Sequence, residues 1–146
     1  MKVKDILLKK GREVYSVSGE TTVYDAIALM SKFDVGALLV MEKGSLLGII
    51  SERDYRNKVI LKGRQSGKTR VTEIMTSSVF CVNDDYDIRE CMAIMSDQKI
   101  RHLPVLDEKG NVNGLISIGD VVKAVIDQQI NEIRDLRQYI TSGYPG

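Results

Sequence analysis

The chain has 146 residues, 43% apolar and 28% charged, which is the length and composition of one compact unit with a buried core. Lys and Arg number 21 against 20 Asp and Glu, a net charge of +1, so the bulk electrostatic footprint of a nucleic-acid or anionic-membrane binder is missing. No run approaches the roughly 18 uninterrupted apolar residues of a membrane helix, and nothing after Met1 to Ile6 reads as a signal peptide. Cys81 and Cys91 lack the paired spacing of a zinc or redox motif, and both are expected as reduced core thiols of a cytoplasmic protein.

In chain order, a short lead-in (Val3 to Leu7) precedes an apolar strand, Val14-Tyr15-Ser16-Val17. Thr22 and Asp25 form a capping-box start, and Val23, Ala26, Ile27 and Met30 follow at helical spacing. A strand over Val35 to Val40, a glycine-bearing turn over Glu42 to Ser45 and a returning strand over Leu46 to Ser51 read as a hairpin. Ser51-Glu52-Arg53-Asp54 then opens a helix. After the loop Lys62 to Lys68 the series repeats: lead-in Val71 to Met75, strand Val79 to Val82, and a helix opened by Asp87 and Glu90 with Ile88, Cys91, Met92 and Met95 on its apolar face. The strand Ile100 to Val105, the turn Asp107 to Asn111 and the strand Val112 to Ser117 complete it, ending in Ser117-Ile118-Gly119-Asp120. From the first strand on, the two copies keep one register, an offset of 65 that becomes 66 with a single added residue in the second turn, while the lead-ins are offset by 68.

Each copy is therefore strand, helix, strand, strand, helix, and the near-continuous apolar strands imply sheets covered by helices on both faces. One copy alone buries too little surface, so the two are expected to pack together. The divisions are 1–66, the first repeat with its lead-in, 67–126, the second, and 127–146, an extension. In that extension the last helix keeps its pattern through Val122, Ile126, Ile130, Ile133, Leu136 and Ile140, longer than a small domain needs, and its far end is expected to meet another chain. The terminus Gly143 to Gly146 is expected to be mobile.

The chemistry concentrates at the two Ser-x-x-Asp steps. A strand-to-helix junction carrying a hydroxyl and a carboxylate suits a sugar diol with phosphates attached; the same residues also form an ordinary helix cap, and the two roles are compatible. His102 is the single histidine, too few for a metal pair or a Ser-His-Asp set, and the phosphate-loop spacing of Gly, four residues, then Gly-Lys-Ser or Gly-Lys-Thr is absent. No catalytic residue and no metal ligand is expected. Pro104, inside a strand pattern, points to an edge or an irregular end. From Tyr55 to Arg70 there are six basic residues and no acid, read first as a solvated face and second as a reach towards phosphates.

The doubled pattern, above all Ile100-Arg101-His102-Leu103-Pro104-Val105-Leu106-Asp107 running on to Gly114-Leu115-Ile116-Ser117-Ile118-Gly119-Asp120, resembles a pair of CBS domains, a Bateman module, of the stand-alone type. The resemblance implies an α+β fold of two β-α-β-β-α repeats about a pseudo-twofold axis, with the last helix outside it, and a disc-shaped homodimer. It also implies an adenosyl ligand (AMP, ADP, ATP or NAD(H), with S-adenosylmethionine less expected) and no catalytic cofactor. One cleft would join Ser51 and Asp54, on ribose, to Val79, Phe80 and Ile100 on adenine, with Arg53, Arg101 and His102 on phosphate. The other would join Ser117 and Asp120 to Val14, Tyr15, Val35, Gly36 and Ala37, without a guanidinium. The function implied is a sensor of energy or redox state that signals to a regulated partner protein by a change of conformation or assembly, with neither membrane nor nucleic acid as partner. A constitutive scaffold working through the long helix is the alternative.

Overall fold

The structure, a computed structural model, describes residues 1–142; the terminus Gly143 to Gly146, expected above to be mobile, lies outside the described residues. Helix α1 (Val3–Lys10) leads into β1 (Ser16–Val17), α2 (Val23–Phe33), β2 (Ala37–Glu42), β3 (Ser45–Ser51) and α3 (Glu52–Lys58). Two short 3-10 turns connect to α4 (Val71–Ile74), α5 (Ile88–Gln98), β4 (His102–Leu106), β5 (Val112–Ser117) and α6 (Ile118–Ser142). Strands β1, β2 and β3 form one sheet in that order, and β4 and β5 a second.

Local chemistry sets these boundaries. The Thr22 hydroxyl accepts the Asp25 N–H at 3.2 Å to start α2, and Asp87 accepts the Arg89 N–H at 2.8 Å to start α5. Both helices end on a left-handed residue at the same repeat position, Asp34 (φ 53°) and Lys99 (φ 54°). The first hairpin turns through Lys43 (φ 50°) and Gly44 (φ 81°), the type I′ geometry that matches strand twist. In the second, the longer by one residue, Asp107 accepts the N–H groups of Lys109 and Asn111, each at 2.9 Å.

The first strand of the second repeat is the one expected element that fails to form. In the first repeat the Leu39 N–H donates to the Tyr15 carbonyl at 3.1 Å and ties β1 to β2. The residue equivalent to Leu39 is Pro104, which has no N–H, so the Phe80 carbonyl loses that donor. Only a parallel bridge between Val82 and Val105 remains. Pro104 thus lies where it was expected, on a strand at the edge of a two-stranded sheet, and β4 pairs with β5 from His102 to Leu106 with a register shift between Val105 and Leu106.

The two repeats are stitched by exchanging their lead-ins. Val3, Ile6 and Leu7 of α1 pack in the core of the second repeat, with Ile88, Cys91, Leu103 and Ile116. Val71 and Ile74 of α4 pack in the core of the first, with Val23, Met30, Leu38 and Ile50. Matching backbone bridges, Lys2 to Asp87 and Thr22 to Arg70, fix the exchange and show the pseudo-twofold relation. A third apolar cluster, containing Ala37, Leu39 and Ile49 with Val14, Val79 and Val112 against them, seals the two sheets together. The sequence division near residue 66 is therefore not a division of the packing. Cys91 is in the core, where burial pushes its thiol up to about 11; Cys81, expected there too, is only half-buried.

Helix α6 is anchored by Val121 and Ala124, and from Gln129 to Thr141 every side chain is exposed. No described helix is long and apolar enough to cross a membrane.

Gly48 and Gly114 are the close-approach points of the exchange. A Cβ at Gly48 would lie 2.5 Å from the Thr76 carbonyl oxygen, and one at Gly114 would lie 2.8 Å from the end of the Leu7 side chain. Backbone cannot step aside as a leucine rotamer can. Gly48→Ala is therefore expected to destabilise by about 2–3 kcal/mol and Gly114→Ala by about 1 kcal/mol or less. Urea denaturation of both variants checks the order; equal losses would remove the distinction.

Candidate functional site

A groove of about 490 Å³ opens between the repeats at the carboxyl end of β3. Its floor is the first Ser-x-x-Asp step. Asp54, 8% exposed, accepts the Ser51 N–H at 3.0 Å and the Ser51 hydroxyl at 3.1 Å on Oδ2, while the Ser51 Oγ accepts the Asp54 N–H at 3.2 Å. The capping role is thus present. The second carboxylate oxygen faces Lys58 Nζ at 3.0 Å, and that ammonium also donates to the Ile74 carbonyl at 2.8 Å. Each carboxylate oxygen offers two lone pairs, so acceptor capacity remains at Oδ1 for a further hydroxyl.

The facing wall comes from the second repeat. Val79, Phe80, Ile100, Arg101 and His102 all line this groove, as the sequence reading placed them. Arg53 reaches across from the first repeat and donates from Nη1 to the Lys99 carbonyl at 2.9 Å, which fixes its guanidinium at the rim. Phe80 remains 45% exposed. His102 is half-buried: burial, and next the Lys10 charge, push its imidazolium below the ordinary range against an opposing pull from Asp120. Gly36, assigned by sequence to the other cleft, lines this groove.

The second Ser-x-x-Asp step has the same local geometry and different surroundings. Asp120 accepts the Ser117 N–H at 2.8 Å, and the Ser117 Oγ accepts the Asp120 N–H at 3.2 Å. Lys10 Nζ then donates to the Asp120 carboxylate at 2.7 Å and to the Leu115 carbonyl at 2.8 Å. Burial works against the Asp120 carboxylate, but Lys10 and the Ser117 N–H outweigh it and hold it below the usual aspartate range. Leu115 is the counterpart of Ile49, whose carbonyl accepts the Thr76 N–H at 2.9 Å. Helix α1 runs 8 residues against 4 for α4, and its added turn delivers Lys10 to the place a backbone donor occupies in the other half.

The residues expected on the adenine side of the second cleft are also engaged within the chain. The Tyr15 ring stacks on Phe33, with centroids 4.1 Å apart and planes 10° from parallel. The corresponding pair in the first groove is Phe80 and Gln98, which has no second ring to stack. Val14 and Ala37 sit in the cluster between the sheets, and Val35 packs on the core of the first repeat. The cavity that does border Asp120, about 280 Å³, lies between α1 and α6 and is lined by Lys9, Lys10, Lys123 and Asp127 among others. The structure therefore gathers one expected constellation around a single groove and spreads the other over packed contacts.

Sequence reasoning missed Lys58 and Lys10. Lys58 stands four residues after Asp54 on α3, a spacing that pairs charges on a helix face, but it was absorbed into the basic run. Much of that run is neutralised locally: Arg64 pairs with Glu73 at 2.6 Å, and Arg70 with Glu20. No local signal could reveal Lys10, whose partner is 110 residues away. Among the described residues no group of His, Cys, Asp or Glu is placed to hold a metal ion.

Comparison with known proteins agrees with this architecture. A solved protein with CBS domains from Burkholderia ambifaria is 48% identical, superposes with a TM-score of 0.84, and is matched over 88% of this chain and 96% of its own. The mitochondrial CBS domain-containing protein CBSX3 of Arabidopsis thaliana is 39% identical over 97% of this chain and 73% of its own length. The CBS domain pair of protein MJ0100, solved in complex with 5′-methylthioadenosine and S-adenosyl-L-methionine, is 25% identical with a TM-score of 0.75, over 86% of this chain and 99% of its own. The family profile described as CBS domain matches twice, over residues 3–60 and 71–127, and the chain belongs to the CBS-domain family.

Proposed function

We propose that this chain is a regulatory module that binds one adenosyl ligand per chain in the Asp54 groove and performs no chemistry on it. The observation that carries the reading is the convergence in that groove of a ribose-competent carboxylate, an unstacked aromatic ring and two guanidinium groups. The volume of about 490 Å³ falls in the range of roughly 300–1,000 Å³ typical of small-molecule sites. Asp54 and Ser51 take the ribose diol, with Lys58 beside them as a donor to the same hydroxyls. Val79, Phe80 and Ile100 border the base. The Phe80 backbone, deprived of its strand partner by Pro104, offers a carbonyl to an exocyclic amine. Arg53 and Arg101 face the phosphate end, where a fork of N–H donors suits phosphate oxygens better than a single ammonium.

This charge balance favours a phosphorylated adenosine such as AMP, ADP, ATP or NAD(H) over a sulfonium ligand. The MJ0100 complex, with two adenosyl compounds in a CBS pair, supports the ligand class and not the choice within it. Occupancy acts through differential affinity for two arrangements of the repeats or of the disc homodimer that the family resemblance implies, and a partner protein reads the result. The Asp120 step is closed in the ligand-free chain, because a ribose there must displace Lys10.

Three outcomes follow. Asp54→Asn keeps an acceptor for the Ser51 N–H at the third position of α3 but loses the charge, so AMP affinity by calorimetry should fall about tenfold or more while the melting temperature moves little. A parallel loss of stability with unchanged affinity would reduce Asp54 to a cap. Lys10→Met should raise the stoichiometry measured with AMP from one to two per chain; a value that stays at one would show that Lys10 is not what closes the second step. The sole histidine gives one set of imidazole signals in NMR. AMP bound with its phosphate at the rim should raise the His102 pKa from its depressed value, and adenosine, which lacks the phosphate, should not. An equal shift with both ligands would take His102 out of the phosphate site.

A further inference from the structure

Beyond the groove, the largest unexplained feature is the free half of α6. From Gln129 to Thr141 it makes no buried contact with its own chain, yet isolated helices of about this length are marginal in water. Ile126, Ile130, Ile133 and Ile140 are between 48% and 56% exposed, and they fall on the side of the helix away from Val121 and Ala124. Their spacing of four, three and seven is that of a coiled-coil seam, with Arg137 at the one place where an apolar residue is replaced.

We infer that α6 pairs with α6 of a second copy of this chain, antiparallel, about a twofold axis near Asn131 and Glu132. Charge decides both the occupant and the direction. In a parallel pair, Arg137 of one copy meets Arg137 of the other inside the seam. In the antiparallel register, Arg137 lies opposite Ile126 and next to Asp127 of the second copy, and Ile130 meets Ile133. The same register sets Asp127 on one flank against Arg134 of the second copy, and the symmetry makes this contact twice. Neither Asp127 nor Arg134 forms an ion pair with a described residue of its own chain. The seam is thus self-complementary in charge. The pairing does not depend on which nucleotide binds.

The test is sedimentation velocity on the full chain over a concentration series. Ile133→Glu, an exposed position whose change leaves the core intact, should raise the dissociation constant of self-association about tenfold or more. Asp127→Arg and Arg134→Asp should each weaken it about threefold or more, because each sets like charges together twice. The double variant D127R/R134D should recover to near the parent value. A chain that is monomeric throughout the series, or whose assembly ignores Ile133→Glu, overturns the pairing. A double variant no better than either single one overturns the antiparallel register.

Discussion

The exchange of lead-in helices is the constraint on which the rest depends. Neither repeat owns a complete core: Val3 and Leu7 close the second, and Val71 and Ile74 close the first. The rows of small residues that permit this contact are matched too, with Gly48 under the Thr76 backbone and Gly114 under Leu7. Because each lead-in is covalently tied to one repeat and packed into the other, any change in the arrangement of the two halves must be small enough to keep both cores closed. The grooves between them are therefore defined by the core itself and not by loops laid over it. A site built in this way is held in place before any ligand arrives, which reduces the ordering that binding would otherwise require.

Duplication would predict two equal grooves, and one added helical turn and two substitutions between equivalent positions make them unequal. The additional turn of α1 brings Lys10 to Asp120 and Leu115. Phe33 in place of Gln98 gives Tyr15 a stacking partner that Phe80 lacks. Pro104 in place of Leu39 removes the N–H that would have drawn the Phe80 segment into the sheet. All three act in one direction: they satisfy the second cleft internally and leave the first with unmet aromatic surface and acceptors. Physically, the closed step has its acceptors met within the chain and the open one does not. An ammonium on a half-buried carboxylate is a strong intramolecular partner, and any ligand competes against it at the effective concentration of a tethered group.

The repeats, the capping boxes and both hairpins were legible in sequence because each is written within a few residues: Thr22 with Asp25, Lys43 with Gly44, Asp107 with Asn111. The residues of the first groove could be named through the family resemblance, since the step at Ser51 and the strand after Lys99 both carry the motif. What could not be read was contact across the chain. The lead-ins were assigned to the repeats they precede, because no local pattern says that Leu7 packs on Gly114. Lys10 has the composition of an ordinary helix end, and only tertiary structure brings it to Asp120. Gly36, which the family resemblance put in the other cleft, lines the first groove, and a glycine with no side chain carries no local pattern that says which groove it borders. The shrinkage of the first strand in the second repeat was half-visible, since Pro104 was noted but its effect falls on the neighbouring segment.

The two halves also differ in where their last helices lead. Asp54 opens α3, which ends after 7 residues, whereas Asp120 sits in the first turn of α6, which runs for 25. At about 1.5 Å per residue, α6 carries a rigid element nearly 40 Å from the closed step to its exposed end. Helix α1 packs on that same α6 and supplies Lys10. The second cleft is thus mechanically connected to the apolar seam, while the first is connected only to the cores. His102 joins the two regions electrostatically, since it borders the first groove and also feels both Lys10 and Asp120.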